Sequence, residues 1–239
     1  IENLKVPVSE TAKLLDVLSQ ASKEGAFEFK DMAREFPAIA AAAQALGQKG
    51  VIGAARIAAA LETIRKGSGS SAEAATNLQN VFQKISSPET TKNFAKFGID
   101  IRKELKKTMA EGGDVLEMLA GNTMKALGGD LTKLGDLFQD KQVQEGLRAF
   151  IQNWAEYRRI RKSALDATGV VDVDFDRRMK KFEAQVESFK IQVSNLGITI
   201  GGILMPHVNR LLAVIRPIVT AFKEFSEAHP ALIGNLIKG

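Results

Sequence analysis

The sequence predicts an all-α protein: a cluster of short helices followed by a long helical hairpin patterned in heptads. Three observations carry this prediction. Apolar residues recur at helical spacing through nearly the whole chain, with no convincing run of the strict alternation that a half-buried strand requires. Glycine, proline and serine clusters cut residues 1–135 into pieces of helical length. From about Gln142 the apolar residues instead follow an almost unbroken 4-3 spacing, the pattern of helices that pack knobs into holes.

Taken in order, Ser9 is placed to cap a first helix that carries Ala12, Leu15, Leu18 and Ala21 on one face and ends at Gly25. Asp31 opens a second, within which Pro37 predicts a kink or break. The alanine-rich stretches 38–46 and 52–64, punctuated by Gly47, Gly50 and Gly53, read as two short helices in close contact. A polar Gly-Ser run at 67–71 connects to a helix that starts at Ser71 and presents Ala75, Leu78, Val81, Phe82 and Ile85. Ser87 followed by Pro88 is a capped start for the next, which bears Phe94 and Phe97 and stops at Gly98. Short elements divided by Gly112-Gly113 and Gly128-Gly129 lead to Gly135.

The hairpin is expected over 142–228. Its first arm carries Val143, Leu147, Phe150, Trp154, Tyr157 and Ala164, with Arg161 in the missing step; a turn follows near 168–171. The second arm repeats Phe175, Met179, Phe182, Val186, Phe189, Val193 and Leu196 without a lapse, so Phe150 and Trp154 are expected to meet Val186 and Phe189. A parallel association of second arms between chains would use the same seam. Steps of four from Leu196 to Val208 form a stutter, and there Gly197, Gly201, Gly202 and Pro206 mark a flexible joint. Leu211, Ile215, Ile218, Phe222 and Phe225 then restore the heptad. Residues 229–239 are expected to be a tail leading into a longer parent chain, since the sequence starts on Ile1 and stops without an evident terminator.

Composition excludes most chemistry. The 239 residues are 45% hydrophobic and 26% charged, a balance that favours folding over disorder. No cysteine is present, which removes disulfides, thiolate metal sites and cysteine nucleophiles, and two histidines, His207 and His229, are too few for a histidine-based site. Lys+Arg 33 against Asp+Glu 28 leaves +5, a mild excess that suits an anionic partner without demanding one. No apolar run reaches the length of a membrane-spanning helix, and no secretory signal opens the chain.

The most suggestive motif is Asp172, Asp174, Asp176 and Glu183, spaced as positions 1, 3, 5 and 12 of a calcium loop. Position 6, where a glycine makes the sharp turn, is Arg177, and Arg178, Lys180 and Lys181 follow. Carboxylates gathered to cap a helix start explain the aspartates better. Basic pairs at Arg158-Arg159, Arg161-Lys162, Arg177-Arg178 and Lys180-Lys181 could meet phosphates, but adjacent aspartates favour local pairing. Glu183 and Glu187 read as a surface pair. The residues predict no catalytic centre, no metal, no cofactor and no small-molecule substrate.

The segment from Leu196, LGITIGGILMPHVNRLLAVIRPIVTAFKEF, closely resembles a recurrent stretch in the core region of phage tail tape measure proteins of siphophages and prophages. Three upstream pieces follow in the same order. Val8 to Leu18 resembles the family's opening helix; Ser87-Pro88 to Asp100 resembles its helix ending in a Gly-Ile-Asp turn; Leu134 to Phe150 resembles its Leu-Phe-Gly stretch, with Gln139 in place of that glycine. The resemblance implies an internal helical rod that lies in the tail lumen, sets tail length during assembly in the bacterial cytoplasm, and leaves at DNA ejection. It also implies the partners: other copies or segments of itself, the tail tube protein, tail assembly chaperones, and DNA in non-specific contact during ejection. The helical pattern alone also suits a membrane-active toxin or an unrelated coiled-coil interaction domain.

Overall fold

The computed structural model describes residues 3–230, with the side chains of 196–204 outside the description. Every regular element among the described residues is helical. After a 3-10 turn at Val8–Glu10 come α1 (Thr11–Lys23), α2 (Phe29–Ala45), α3 (Gly50–Arg65), α4 (Ser71–Lys84), α5 (Pro88–Ala95), α6 (Ile101–Ala110) and α7 (Val115–Leu127). A second 3-10 turn at Leu131–Lys133 leads to α8 (Leu134–Leu137), α9 (Lys141–Gln152), α10 (Trp154–Asp166) and α11 (Val170–Ala228). The chain divides into two units, Ile1–Phe175 and Asp176–Gly239.

The first unit is built around α3. Gly53, Ala54, Ala55 and every residue from Ile57 to Ile64 are buried, so from Ile57 to Ile64 this helix has no solvent face. Small side chains make that arrangement feasible, because alanine and glycine faces let α1, α2, α4, α9 and α10 all approach it closely. The neighbours are ordinary amphipathic helices: α1 contributes Leu14, Val17 and Ala21, α4 contributes Leu78, Val81 and Phe82, and α10 contributes Tyr157, Ile160 and Ala164.

Helix boundaries follow side-chain chemistry at several starts. Ser70, Ser87, Asp100, Asp114 and Asp140 each accept a backbone N–H from the first turn of the helix they precede, with Pro88 in the first turn of α5. Gly98 adopts φ +71°, a conformation that L side chains rarely take, and lets Ile99 N–H return to the Phe94 carbonyl at 3.1 Å. Three expectations need correction. Ser9 lies inside the 3-10 turn, and no side chain caps α1. Asp31 sits within the first turn of α2, which starts at Phe29. Pro37 does not break that helix, which continues to Ala45. Ala33, whose carbonyl loses its partner to the proline, is exposed along with Pro37, so water can take up the hydrogen bond.

The expected hairpin is revised. Its first arm is two helices, broken at Asn153 (φ −115°, ψ 26°), and both belong to the first unit. The α9 helix packs on α4 and α3; α10 packs on α3 and α1. Leu147 and Phe150 are buried there, and Phe150 meets the rings of Tyr157 and Trp154 at centroid distances of 4.7 and 6.4 Å. Phe150, Trp154 and Tyr157 make these ring contacts inside the first unit. The 4-3 spacing could not reveal this, because an amphipathic helix facing several neighbours and one facing a single partner share most of the pattern.

In the second unit α11 continues as helix to Ala228, through both Pro206 and Pro217. The helix ends just before His229-Pro230.

Candidate interaction surface

The start of α11 is held by α1. Lys13, Asp16, Gln20 and Lys23 recur at helical spacing, and the buried Leu14, Val17 and Ala21 fix the orientation of their helix. The Lys13 ammonium donates to the carbonyls of Leu165 (2.7 Å) and Ala167 at the end of α10. One turn on, the Asp16 carboxylate accepts the N–H groups of Gly169 (2.7 Å) and Val171 (2.9 Å) at the start of α11. A cation thus meets the negative end of one helix and an anion the positive end of the next. Gln20 donates to Ser163 at 3.1 Å, and Lys23 pairs with Asp174 at 2.6 Å. The cap expected from the 172–176 aspartates is supplied from α1 instead.

A second polar cluster joins α3, α7 and α10. Asp114 caps α7 through one carboxylate oxygen, while the other accepts from the Tyr157 hydroxyl and from Arg161 at 2.6 Å. Arg56 lies 3.5 Å from the same carboxylate and donates to Gln48 and to the Gly112 and Gly113 carbonyls. Burial, then the adjacent Asp114 charge, pushes the Tyr157 hydroxyl well above its ordinary pKa. Burial also raises Glu117, but hydrogen bonds from Arg158 and Trp154 and the Arg161 charge outweigh it and hold the carboxyl below its usual value. Arg161 occupied the missing step of the apolar spacing; that polar intrusion on a buried stripe was the available signal for this cluster.

The basic pairs are mostly engaged. Arg158 pairs with Glu117, Arg159 with Glu24 and Glu156, Arg161 with Asp114 and Glu117, and Lys162 with Asp166. Asp172, Asp174 and Asp176 are helical, so Asp174 points away from the face that Asp172 and Asp176 share, and the three cannot converge on a cation as loop ligands would. Among the described residues no cluster of acidic or histidine side chains could hold a metal ion.

What remains unpartnered is the apolar surface of α11. Phe175, Met179, Phe182, Phe189 and Val193 are exposed, Phe182 by 59% and Phe189 by 66%, and Val186 is half-buried. The first-arm residues are elsewhere: Leu147 and Phe150 are in the core, and the half-buried Trp154 donates to Glu117 at 3.1 Å. Leu196, Gly197, Gly201 and Gly202 have helical backbone, and their surroundings lie outside the description; Pro206 is helical and exposed. Beyond it the stripe widens. Val208, Leu211, Ile215, Ile218, Phe222 and Phe225 keep the heptad, and Leu212, Val214 and Val219 add exposed apolar surface on its flanks. Exposed apolar surface on this scale, on both sides of residues 196–204, marks an interaction site, and its chemistry is helix packing. No helix among the described residues is long and apolar enough to cross a membrane.

Comparison with known proteins accords with a structural role. The family of phage-related minor tail proteins matches residues 1–144. A probable tape measure protein of Burkholderia phage BcepMu is 30% identical over 242 aligned positions, covering 90% of this chain. The chain spans 29% of that relative's length. No solved structure matches it. With the family match extending over more than half of the residues and the tape measure relative over nearly all of them, this chain belongs to the phage minor tail and tape measure protein family.

Proposed function

We propose that the chain is a structural segment of a tail tape measure protein: part of an internal helical rod that helps set tail length during assembly and leaves the lumen at DNA ejection. The observation that carries this reading is α11, 59 residues of helix whose described apolar stripe is largely exposed. A helix converts residue number into length, about 90 Å for this one. Its stripe packs against other copies or other segments of the same protein, which is how narrow helical rods cohere. Action is non-covalent and needs no cofactor or small-molecule substrate. The polar faces meet the tail tube protein in the virion and assembly chaperones in the bacterial cytoplasm, and DNA passes them non-specifically. Gly197, Gly201, Gly202 and Pro206 form the joint at which the rod refolds on exit.

In-frame deletion of residues 172–228 in the parent phage tests the proposal. The expected result is absent tails, or tails shortened by about 85 Å, the helical rise of the missing segment. Tails of unchanged length that eject DNA normally would overturn it.

A further inference from the structure

Glu62 is the one acidic side chain on α3, and none of its surface is exposed. It lies beneath residues 24–28, the connection from α1 to α2. Its Oε2 accepts the Phe27 N–H at 3.0 Å, and its Oε1 has no hydrogen-bond partner. The connection presses directly on the carboxyl: a Cβ at Gly25 would stand 2.1 Å from Oε2, so a larger residue there would have to push the carboxyl aside. Phe27, whose N–H makes the bond, is itself fully buried.

The cations around this site are committed elsewhere. On α3, Arg65 donates to the Ser68 carbonyl, and Lys66 pairs with Glu156 at 3.0 Å. From α10, Arg159 pairs with Glu24 at 2.7 Å and with Glu156 at 2.9 Å. From the connection, Glu24 adds a like charge, and Glu28 pairs outward with Lys30. An ionised Glu62 would thus be a buried carboxylate with one N–H and no cation in contact, an arrangement that a folded chain relieves by neutralising or exposing the group. Burial pushes the carboxyl up to about 7, opposed by the Phe27 N–H and by the charges of Lys66 and Arg65.

We propose that Glu62 makes residues 24–28 a pH-gated latch: neutral, its carboxyl stays seated beneath the connection and holds it through Phe27; ionised, it escapes to water by displacing the connection and unseating Phe27. The connection yields before α3 does, because α3 is buried all round from Ile57 to Ile64 whereas residues 25, 26 and 28 already face solvent. The sign follows from linkage. The closed form holds a proton that the open form loses between the ordinary glutamate value of 4.5 and about 7, so opening grows with pH across that interval and levels off above it.

Hydrogen exchange of the Phe27 amide in the 239-residue chain, corrected for intrinsic exchange rates, tests this in wild type and in Glu62→Gln. Between pH 5 and pH 8 the wild-type opening should rise roughly 10- to 100-fold, and the variant should stay level. Equal pH dependence in both, or none in wild type, would overturn the proposal. Should Glu62→Gln fail to fold, carbon-13 NMR of the wild-type Glu62 carboxyl decides. A midpoint near neutrality, with the Phe27 amide moving in step, supports the latch; titration in the ordinary carboxylate range, or an unmoved Phe27, sinks it.

Discussion

Asp16 on α1 accepts the backbone N–H of Val171 at 2.9 Å across 155 residues of sequence, and so caps the longest helix from outside that helix. Because the same carboxylate also takes Gly169 N–H, replacing it with alanine leaves two part-buried donors without their acceptor. Asp16→Ala should lower stability by about 1–2 kcal/mol, the cost of losing a helix cap, and should expose residues 167–169 to protease. Asp16→Asn, which keeps an acceptor but loses the charge that complements the helix end, should fall between the two. Thermal melts and limited proteolysis read both effects; an unchanged cleavage rate at 167–169 would contradict the capping role.

The Asp114 cluster should be costlier to break. Asp114→Ala removes the cap of α7 and leaves Arg56 and Arg161 part-buried without their carboxylate, so a loss of about 3–5 kcal/mol is expected. Tyr157→Phe removes only the hydroxyl donor and should cost about 1 kcal/mol. Equal melting losses for the two would mean that the charges contribute little and the ring packing dominates.

Several parts of this architecture were legible before any coordinates. Ser87-Pro88, Gly98 and the apolar face from Ala75 to Ile85 act through local rules, and each is where the residues placed it. The packing of residues 142–166 into the first unit was not legible. Phe150 and Phe189 occupy the same kind of heptad position, yet one is 1% exposed and the other 66%. Periodicity reports that a face is apolar, not which neighbour covers it, and only the alanine-rich surface of α3 decides that Phe150 is taken into the first core. The Asp16 and Asp114 contacts were invisible for a related reason. Each joins residues separated by dozens of positions, and a lone aspartate in an amphipathic helix gives no sign of reaching another helix's terminus.

Acid should weaken the contact between α3 and α10 in a defined window. Hydrogen bonds from Arg159, then Lys66, hold the Glu156 carboxyl down at about 2. A depressed folded-state value means that this contribution is complete above the ordinary glutamate value of 4.5 and is lost as pH falls toward 2. All three side chains are partly solvated, so screening limits the effect to under about 1 kcal/mol. Glu156→Gln should melt slightly below wild type at pH 6 and together with it at pH 2, with the difference shrinking in high salt. A difference that persists at pH 2 would show that the glutamine disturbs packing instead.

Gly146 marks the closest approach of α9 to α4. A Cβ there would lie 3.3 Å from the Asn77 Cβ, the Asn77 carbonyl oxygen and the Val81 Cγ2. Alanine gains helix propensity, about 1 kcal/mol over glycine, and loses a similar amount to the crowding, so Gly146→Ala should be near neutral. Gly146→Val adds two further methyl groups against the same backbone and should destabilise by about 1–3 kcal/mol. Chemical denaturation of the pair separates propensity from packing; a valine variant as stable as wild type would mean that the two helices part easily.

The apolar stripe of α11 predicts a separation between folding and association. Phe182 and Phe189 are exposed and contribute nothing to the core around α3, so replacing both with serine should leave the melting of the first unit unchanged. Serine and phenylalanine have similar helix propensities, so any loss of helicity in α11 would report lost packing rather than a poorer helix former. Association of the chain with itself, followed by sedimentation equilibrium across a concentration series, should weaken. The same double replacement at Ile215 and Phe222 should weaken it more, because Leu212, Val214 and Val219 broaden the stripe there and more apolar area is buried per residue of helix. A chain that stays monomeric in wild type at every concentration would show that copies of this segment do not cover the stripe.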